Sequence, residues 1–303
     1  MEDDKKTYML PVAILIVTVV IGGILIYNNK SEESAKQDKS LTNQTEGNNE
    51  VGVDENLVIP QEGVELPVVW GDLGAEMIQA GVIDRQKFEA LYSQRGGLDE
   101  EAKKILSGLG NGKLKITQQN AGFLLNMFWA LGLGNKNEIL EKGPMSDPQY
   151  GGAGNFASTG GWSLAKGDTM SHFSKHKFIS LTSGQQQLVE RVSKGIFRPC
   201  CGNSVYFPDC NHGMGMLGLL ELMASQGVSE QDMYKIALKV NSYWFPDTYL
   251  TIAKYLKEKK GISFDQADPK EILGSDYSSS SGYQRILQEV TPSQASGGGG
   301  CGV

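Results

Sequence analysis

The amino-acid sequence predicts a mainly α protein: one N-terminal transmembrane helix, a disordered linker, then a single multi-helix globular domain. Three observations carry this expectation. Residues 8–27 form an uncharged apolar run, and residues 28–63 are polar with few large apolar groups. From 64 to 290 the apolar residues recur at helical spacing, and period-two strand runs are scarce.

After a short N-terminal tail (residues 1–7), the apolar run at 1.5 Å per residue matches a hydrocarbon core of roughly 30 Å. It leads into Asn28, Asn29 and Lys30 without an Ala-x-Ala cleavage site, so it reads as an uncleaved anchor. Lys5 and Lys6 precede it while Lys30, Lys36 and Lys39 follow, so loop charge does not orient it. A short tail before one early span fits a signal anchor, with a single pass through the cell membrane and an extracytoplasmic C-terminal domain. Cysteines in that setting meet oxidants, which keeps disulfides in contention. The linker cannot bury enough surface to offset its ordering entropy. As a flexible coil of about 36 residues it spans roughly 30–35 Å. It holds the glycosylation sequon Asn43-Gln44-Thr45.

Within the globular region, helices are predicted at 73–80, 84–93 and 99–106. Residues 120–133, with Phe123, Leu124, Met127, Phe128 and Leu131, are apolar on most sides and belong to the core. Ser183-Gly-Gln-Gln186 reads as a capping box opening a helix to about Lys194. Ser229 caps another that runs to Trp244, and 248–260 and 280–290 complete the set. Phe-Pro-Asp occurs at 207–209 and at 245–247; each Pro ends an element, and each Asp is placed to cap the next helix. Residues 291–303 form a flexible Gly-rich tail with Cys301 near its tip.

The formal net charge is −7 and no basic block occurs, which argues against nucleic-acid binding. Lys254, Lys257, Lys259 and Lys260 read as a solvated helix C-terminus. The expected partners are the membrane, through 8–27, and envelope proteins that the sequence does not specify.

The chemistry concentrates in Arg198-Pro-Cys-Cys-Gly-Asn-Ser-Val-Tyr-Phe-Pro-Asp-Cys-Asn-His-Gly-Met214. Cys200, Cys201 and Cys210 are three of the four cysteines, and His212 is one of three histidines. With Asp209 as N-cap, Cys210 and His212 fall in the first turn of a helix running to about residue 224. The positive helix end there favours thiolate. Cys200 and Cys201 lie on a Gly- and Pro-punctuated loop that folds back onto that start. Three sulfurs and an imidazole compose a Cys₃His zinc set, and Met214 and Met216 add thioethers that suit Cu(I). Thiol–disulfide exchange is the enzymatic variant. The competing reading is a non-catalytic envelope interaction module in which Cys200 or Cys201 pairs with Cys210 as a disulfide, worth about 2–3 kcal/mol.

Other features take second place. A tail of about ten residues from Pro292 reaches roughly 30 Å when extended, which could deliver Cys301 to the cluster as a fourth sulfur or a resolving thiol. His172 and His176 share a face if helical and can hold a divalent metal, but they lack the Glu of His-Glu-x-x-His. Gly152-Ala-Gly154-Asn-Phe-Ala157 follows no strand and reads as a loop, and Ser158 lacks a nucleophile elbow. Glu221 stands inside an apolar helix, where it is a candidate partner for His212.

Through Pro199-Cys-Cys, Phe207-Pro-Asp-Cys-Asn-His-Gly-Met214 and Glu221-Leu-Met-Ala-Ser-Gln-Gly227, the chain resembles a family of uncharacterised single-span prokaryotic membrane proteins. That resemblance implies an anchored domain and no particular activity. A fainter likeness links Pro199-Cys-Cys and Asp209-Cys-Asn-His to lipoproteins named for a Pro-Cys-Tyr-Cys-Gly-Cys motif (PCYCGC), which implies metal ligation by Cys200, Cys201 and Cys210. Here the cysteines are adjacent instead of alternating, and no lipobox cysteine precedes the domain.

Overall fold

The computed structural model describes residues 52–295. The predicted anchor, residues 28–51 of the predicted linker, and Cys301 lie outside the described residues. Among the described residues no helix is long and apolar enough to cross a membrane.

Order begins earlier than the predicted boundary at 64. Helix α1 (Glu55–Val58) is capped by Asp54, whose side chain accepts from Asn56 N, and Val58 and Ile59 are fully buried. Strand β1 (Val64–Gly71) then pairs antiparallel with β2 (Asn111–Ile116), in register Val64↔Ile116 and Gly71↔Asn111. Helices α2 (Leu73–Ala80), α3 (Arg85–Ser93) and α4 (Glu100–Ser107) lie between the strands. Strands are scarce among the described residues, as expected, and this two-stranded sheet is an addition that the sequence reading did not place. Leu66, Val68 and Trp70 do alternate inward, as do Leu114 and Ile116. Pro67 and a register irregularity between Glu65 and Val69 break the pattern.

The remaining elements are α5 (Ala121–Gly134), α6 (Glu138–Lys142), short 3₁₀ turns between 144 and 171, and α7 (Ser183–Gly195). After them come α8 (Asn211–Ser225), α9 (Glu230–Trp244) and α10 (Pro246–Tyr255), which continues into a π-helical turn, Leu256–Lys260. Short helices α11 (Pro269–Ile272), α12 (Ser275–Ser278) and α13 (Ser280–Ile286) close the domain. The predicted capping box exists one residue earlier than expected, between Thr182 and Gln185. Ser229 caps α9 as expected, accepting from Asp232 N. Each such cap is worth about 0.5–2 kcal/mol.

The core forms around α5 and α8, which are apolar on nearly every side and buried along almost their whole lengths. They cross at glycines. A Cβ at Gly132 would stand 2.2 Å from the Met214 carbonyl oxygen, and one at Gly218 would stand 2.4 Å from that of Phe128. No side chain fits between the two backbones, so this crossing fixes where α8 begins relative to the rest of the domain.

The predicted flexible tail is partly held. Ser293 N donates to Thr251 Oγ1 at 2.9 Å, and Ala295 N donates to Asp247 Oδ1 at 2.7 Å. Asp247 therefore binds the chain end and does not cap α10, whose N-cap is Phe245 with Pro246 in the first turn.

Candidate metal centre

The loop between α7 and α8 is folded back by local pairing. Phe197 and Ser204 form an isolated antiparallel bridge, and Val205 N donates to Ile196 O. Phe197 N donates to Leu273 O, while Ser280 N donates to Cys201 O, so the loop lies against the C-terminal helices. From the other side, Ser158 N donates to Asp209 O. The rings of Tyr150, Phe156 and Phe207 also pack edge to face at 5.3–5.4 Å.

Arg198 sits beneath the loop, 1 % exposed. Its Nε donates to Cys210 Sγ at 3.2 Å, Nη1 to Asn203 O at 3.1 Å, and Nη2 to Phe207 O at 3.2 Å and to Asp209 Oδ1. Asn203 Nδ2 donates to the other Asp209 oxygen at 2.9 Å. Four donor bonds, one of them the ion pair with Asp209, meet the requirement that a buried guanidinium be partnered. The guanidinium lies flat on the start of α8: a Cβ at Gly213 would stand 2.7 Å from Arg198 Cζ. Arg198 is the organiser that sequence reasoning passed over. A lone Arg beside Pro-Cys-Cys gives no periodicity signal, and only its burial reveals the role.

The expected cap is corrected. Asp209 is engaged by Arg198 and Asn203, and the N-cap of α8 is Cys210, whose sulfur accepts from Gly213 N at 3.4 Å. The Sγ atoms of Cys200, Cys201 and Cys210 all lie within 4.8 Å of one another. Cys200 and Cys210 are 3.6 Å apart, and all three are free thiols, so the disulfide reading of this segment is not met. Tetrahedral zinc with Zn–S near 2.3 Å places its sulfurs about 3.8 Å apart, so the spacing fits a shared ion. Cys200 is the exposed member and opens the cluster to solvent.

The three sulfurs titrate as a unit. Cys210 is pulled far below the ordinary thiol range by bonds from Cys200 and Cys201, helped by His212 and by the Arg198 charge against the opposing cost of burial. Cys200 is pushed up by its bonds to Cys201 and Cys210 and by burial. For Cys201 the bond with Cys200 acts downward, but Cys210 and burial outweigh it, and the net direction is up. The cluster is thus built to hold its negative charge on Cys210.

The other predicted residues fall as follows. His212 is buried at the start of α8, bonded to Cys210, with its ring 4.4 Å from that of Phe245. It stands outside the set of donor atoms that share the 4.8 Å radius. Met214 is fully buried in the α5–α8 seam. His172 and His176 are not on a helix: Ser174 between them takes a left-handed φ of 53°. Their rings nonetheless meet, with Nδ1 of His172 3.1 Å from Nε2 of His176. The 5.4 Å centroid separation equals that distance plus about a ring radius at each end, which is the end-on geometry of a hydrogen bond, not of two ligands converging on an ion. His172 Nε2 faces the Lys166 carbonyl at 2.9 Å and donates to it, so Nδ1 of the neutral ring accepts from His176 Nε2–H. They form no group with the cysteines.

Glu221 does not meet His212, which lies more than two turns away along α8. Its oxygens accept from Asn135 Nδ2 and Asn137 Nδ2, both at 2.6 Å. The Gly-x-Gly segment is irregular, as expected, and Ser158 is buried with its carbonyl accepting from Trp129 Nε1.

Comparison of the chain with models of known families, with curated proteins and with solved structures finds no match. The resemblances drawn from the Pro-Cys-Cys segment gain no support from them.

Proposed function

We propose that this chain is a membrane-anchored, extracytoplasmic metal-binding protein that takes one soft ion, Zn(II) or Cu(I), on Cys200, Cys201 and Cys210. The observation that carries the reading is the mutual proximity of the three sulfur ligand atoms. Thiolates select soft or borderline ions, and their negative charge is partly balanced here by the buried Arg198. His212 then acts from behind the ligands, its hydrogen bond to Cys210 orienting that sulfur. The anchor rests on the apolar run at 8–27, and the extracytoplasmic placement rests on reading that run as a signal anchor. An open groove of about 620 Å³, lined by Tyr150, Phe156, Tyr206, Phe207 and Asp209, lies beside the loop.

Elemental analysis of the full chain purified anaerobically tests this. One equivalent of metal per chain is expected. Cys210→Ser should weaken binding by more than the roughly 10–100-fold lost when a group that only hydrogen-bonds a ligand is replaced. Absence of metal uptake, or uptake that survives replacement of all three cysteines by serine, overturns it.

A further inference from the structure

We propose that Cys200 and Cys210 form a peroxide-sensitive pair that switches the metal centre off, with Cys210 attacking and Cys200 resolving. The regulatory consequence rests on the metal-binding reading; the thiol chemistry does not.

The three sulfurs are chemically distinct by their surroundings. Cys210 Sγ receives donors: Arg198 Nε–H at 3.2 Å and Gly213 N–H at 3.4 Å, at the N-terminus of a 15-residue helix. Donors converging on sulfur stabilise the anion, which is the nucleophile. Cys201 Sγ faces acceptors instead: Asn203 O at 3.9 Å and Asp209 Oδ1 at 3.8 Å. Among the described residues the N–H donors converge on Cys210 and not on Cys201, which is therefore the weaker nucleophile of the two. Cys200 is exposed and touches Cys210 at 3.6 Å. Closing that gap to a bond of about 2.05 Å needs only a small movement of a loop residue.

The oxidant is a hydroperoxide. Cys210 thiolate attacks one peroxide oxygen, the O–O bond breaks, and the departing hydroxide takes a proton to become water, leaving Cys210 as the sulfenic acid. Cys200 sulfur then attacks the Cys210 sulfur. The S–S bond forms, the S–O bond breaks, and the hydroxide leaves as water with the Cys200 proton. Two thiols lose two electrons in all and one peroxide is reduced. A metal held by three sulfurs loses two of them and is released.

The test uses the reduced full chain, loaded with one equivalent of zinc under argon and treated with a slight excess of hydrogen peroxide. Of the four thiols, two should be lost, in step with zinc appearing on a colorimetric chelator. Chymotryptic fragments should be joined through Cys210. Cys201→Ser should still form the disulfide. Cys200→Ser should not, and should leave a Cys210 sulfenic acid that dimedone labels. A disulfide that persists in Cys200→Ser, or zinc retained after the disulfide forms, overturns the proposal. If the chain takes up no zinc yet forms the Cys200–Cys210 bond, the metal reading fails and the redox pair stands.

Discussion

Helix α8 carries two buried ionisable centres that are partnered in opposite ways. At its start, Arg198 is matched by the Asp209 carboxylate and by the Cys210 sulfur, and the cluster above it opens to solvent. About three turns on, Glu221 is 0 % exposed and held by two neutral amides; among the described residues no ion pair includes it. The amide orientations are fixed, because Asn135 Oδ1 accepts from Ile179 N and Asn137 Oδ1 from Ile139 N. Both Asn donors must therefore point at the carboxyl group. The first centre has charge, nucleophile and access together, which is what chemistry requires. The second ties α8 to the chain after α5 and, through Gln186 Nε2 on Asn137 Oδ1, to α7, which is what architecture requires. Burial of an ionisable group alone does not mark a functional site; its partners and its access do.

The sharpest way to break this contrast is Arg198→Met. It leaves Asp209 without its buried partner and Cys210 without its charged donor, and should cost about 3–5 kcal/mol in urea unfolding. Metal affinity should fall with it. Next, Gly213→Ala pushes a methyl into the guanidinium and should cost about 1–3 kcal/mol, with Arg198 displaced in a crystal structure of the variant. An unchanged midpoint would show that the close approach is not needed.

The smallest effect separates the second centre from the first. Burial pushes the Glu221 carboxyl well above its ordinary 4.5, and its amide bonds pull back only in part. The folded chain then keeps a proton that the unfolded chain has released. Stability is full below the unfolded value and falls as pH rises towards the folded one, by about 1.4 kcal/mol per pH unit within that window. Glu221→Gln should flatten this slope in urea midpoints measured from pH 4 upward. A parallel slope in the variant would assign the effect elsewhere.

Much of this architecture was legible because it rests on local rules. The helices at 73–80, 120–133 and 229–244 follow from apolar spacing and from the Ser229 cap, and the place of the cysteine cluster follows from composition. What could not be read depends on contacts distant in sequence. Strands β1 and β2 pair across about 40 intervening residues, and Pro67 hides the alternation of Leu66, Val68 and Trp70. Asp209 looked like a helix cap because Asp usually is one; the buried Arg198 claims its carboxylate, and the cap passes to Cys210. His172 and His176 looked like a helical pair, and a left-handed Ser174 brings them together without a helix.

The cap at Cys210 makes the first turn of α8 a reporter. The atom that accepts the Gly213 N–H also belongs to the cluster, so any reaction at that sulfur changes the electron density facing one backbone proton. The Gly213 amide resonance should therefore move when metal binds and move differently when the sulfur is oxidised, giving a label-free, single-atom readout of the state of the site in the intact protein.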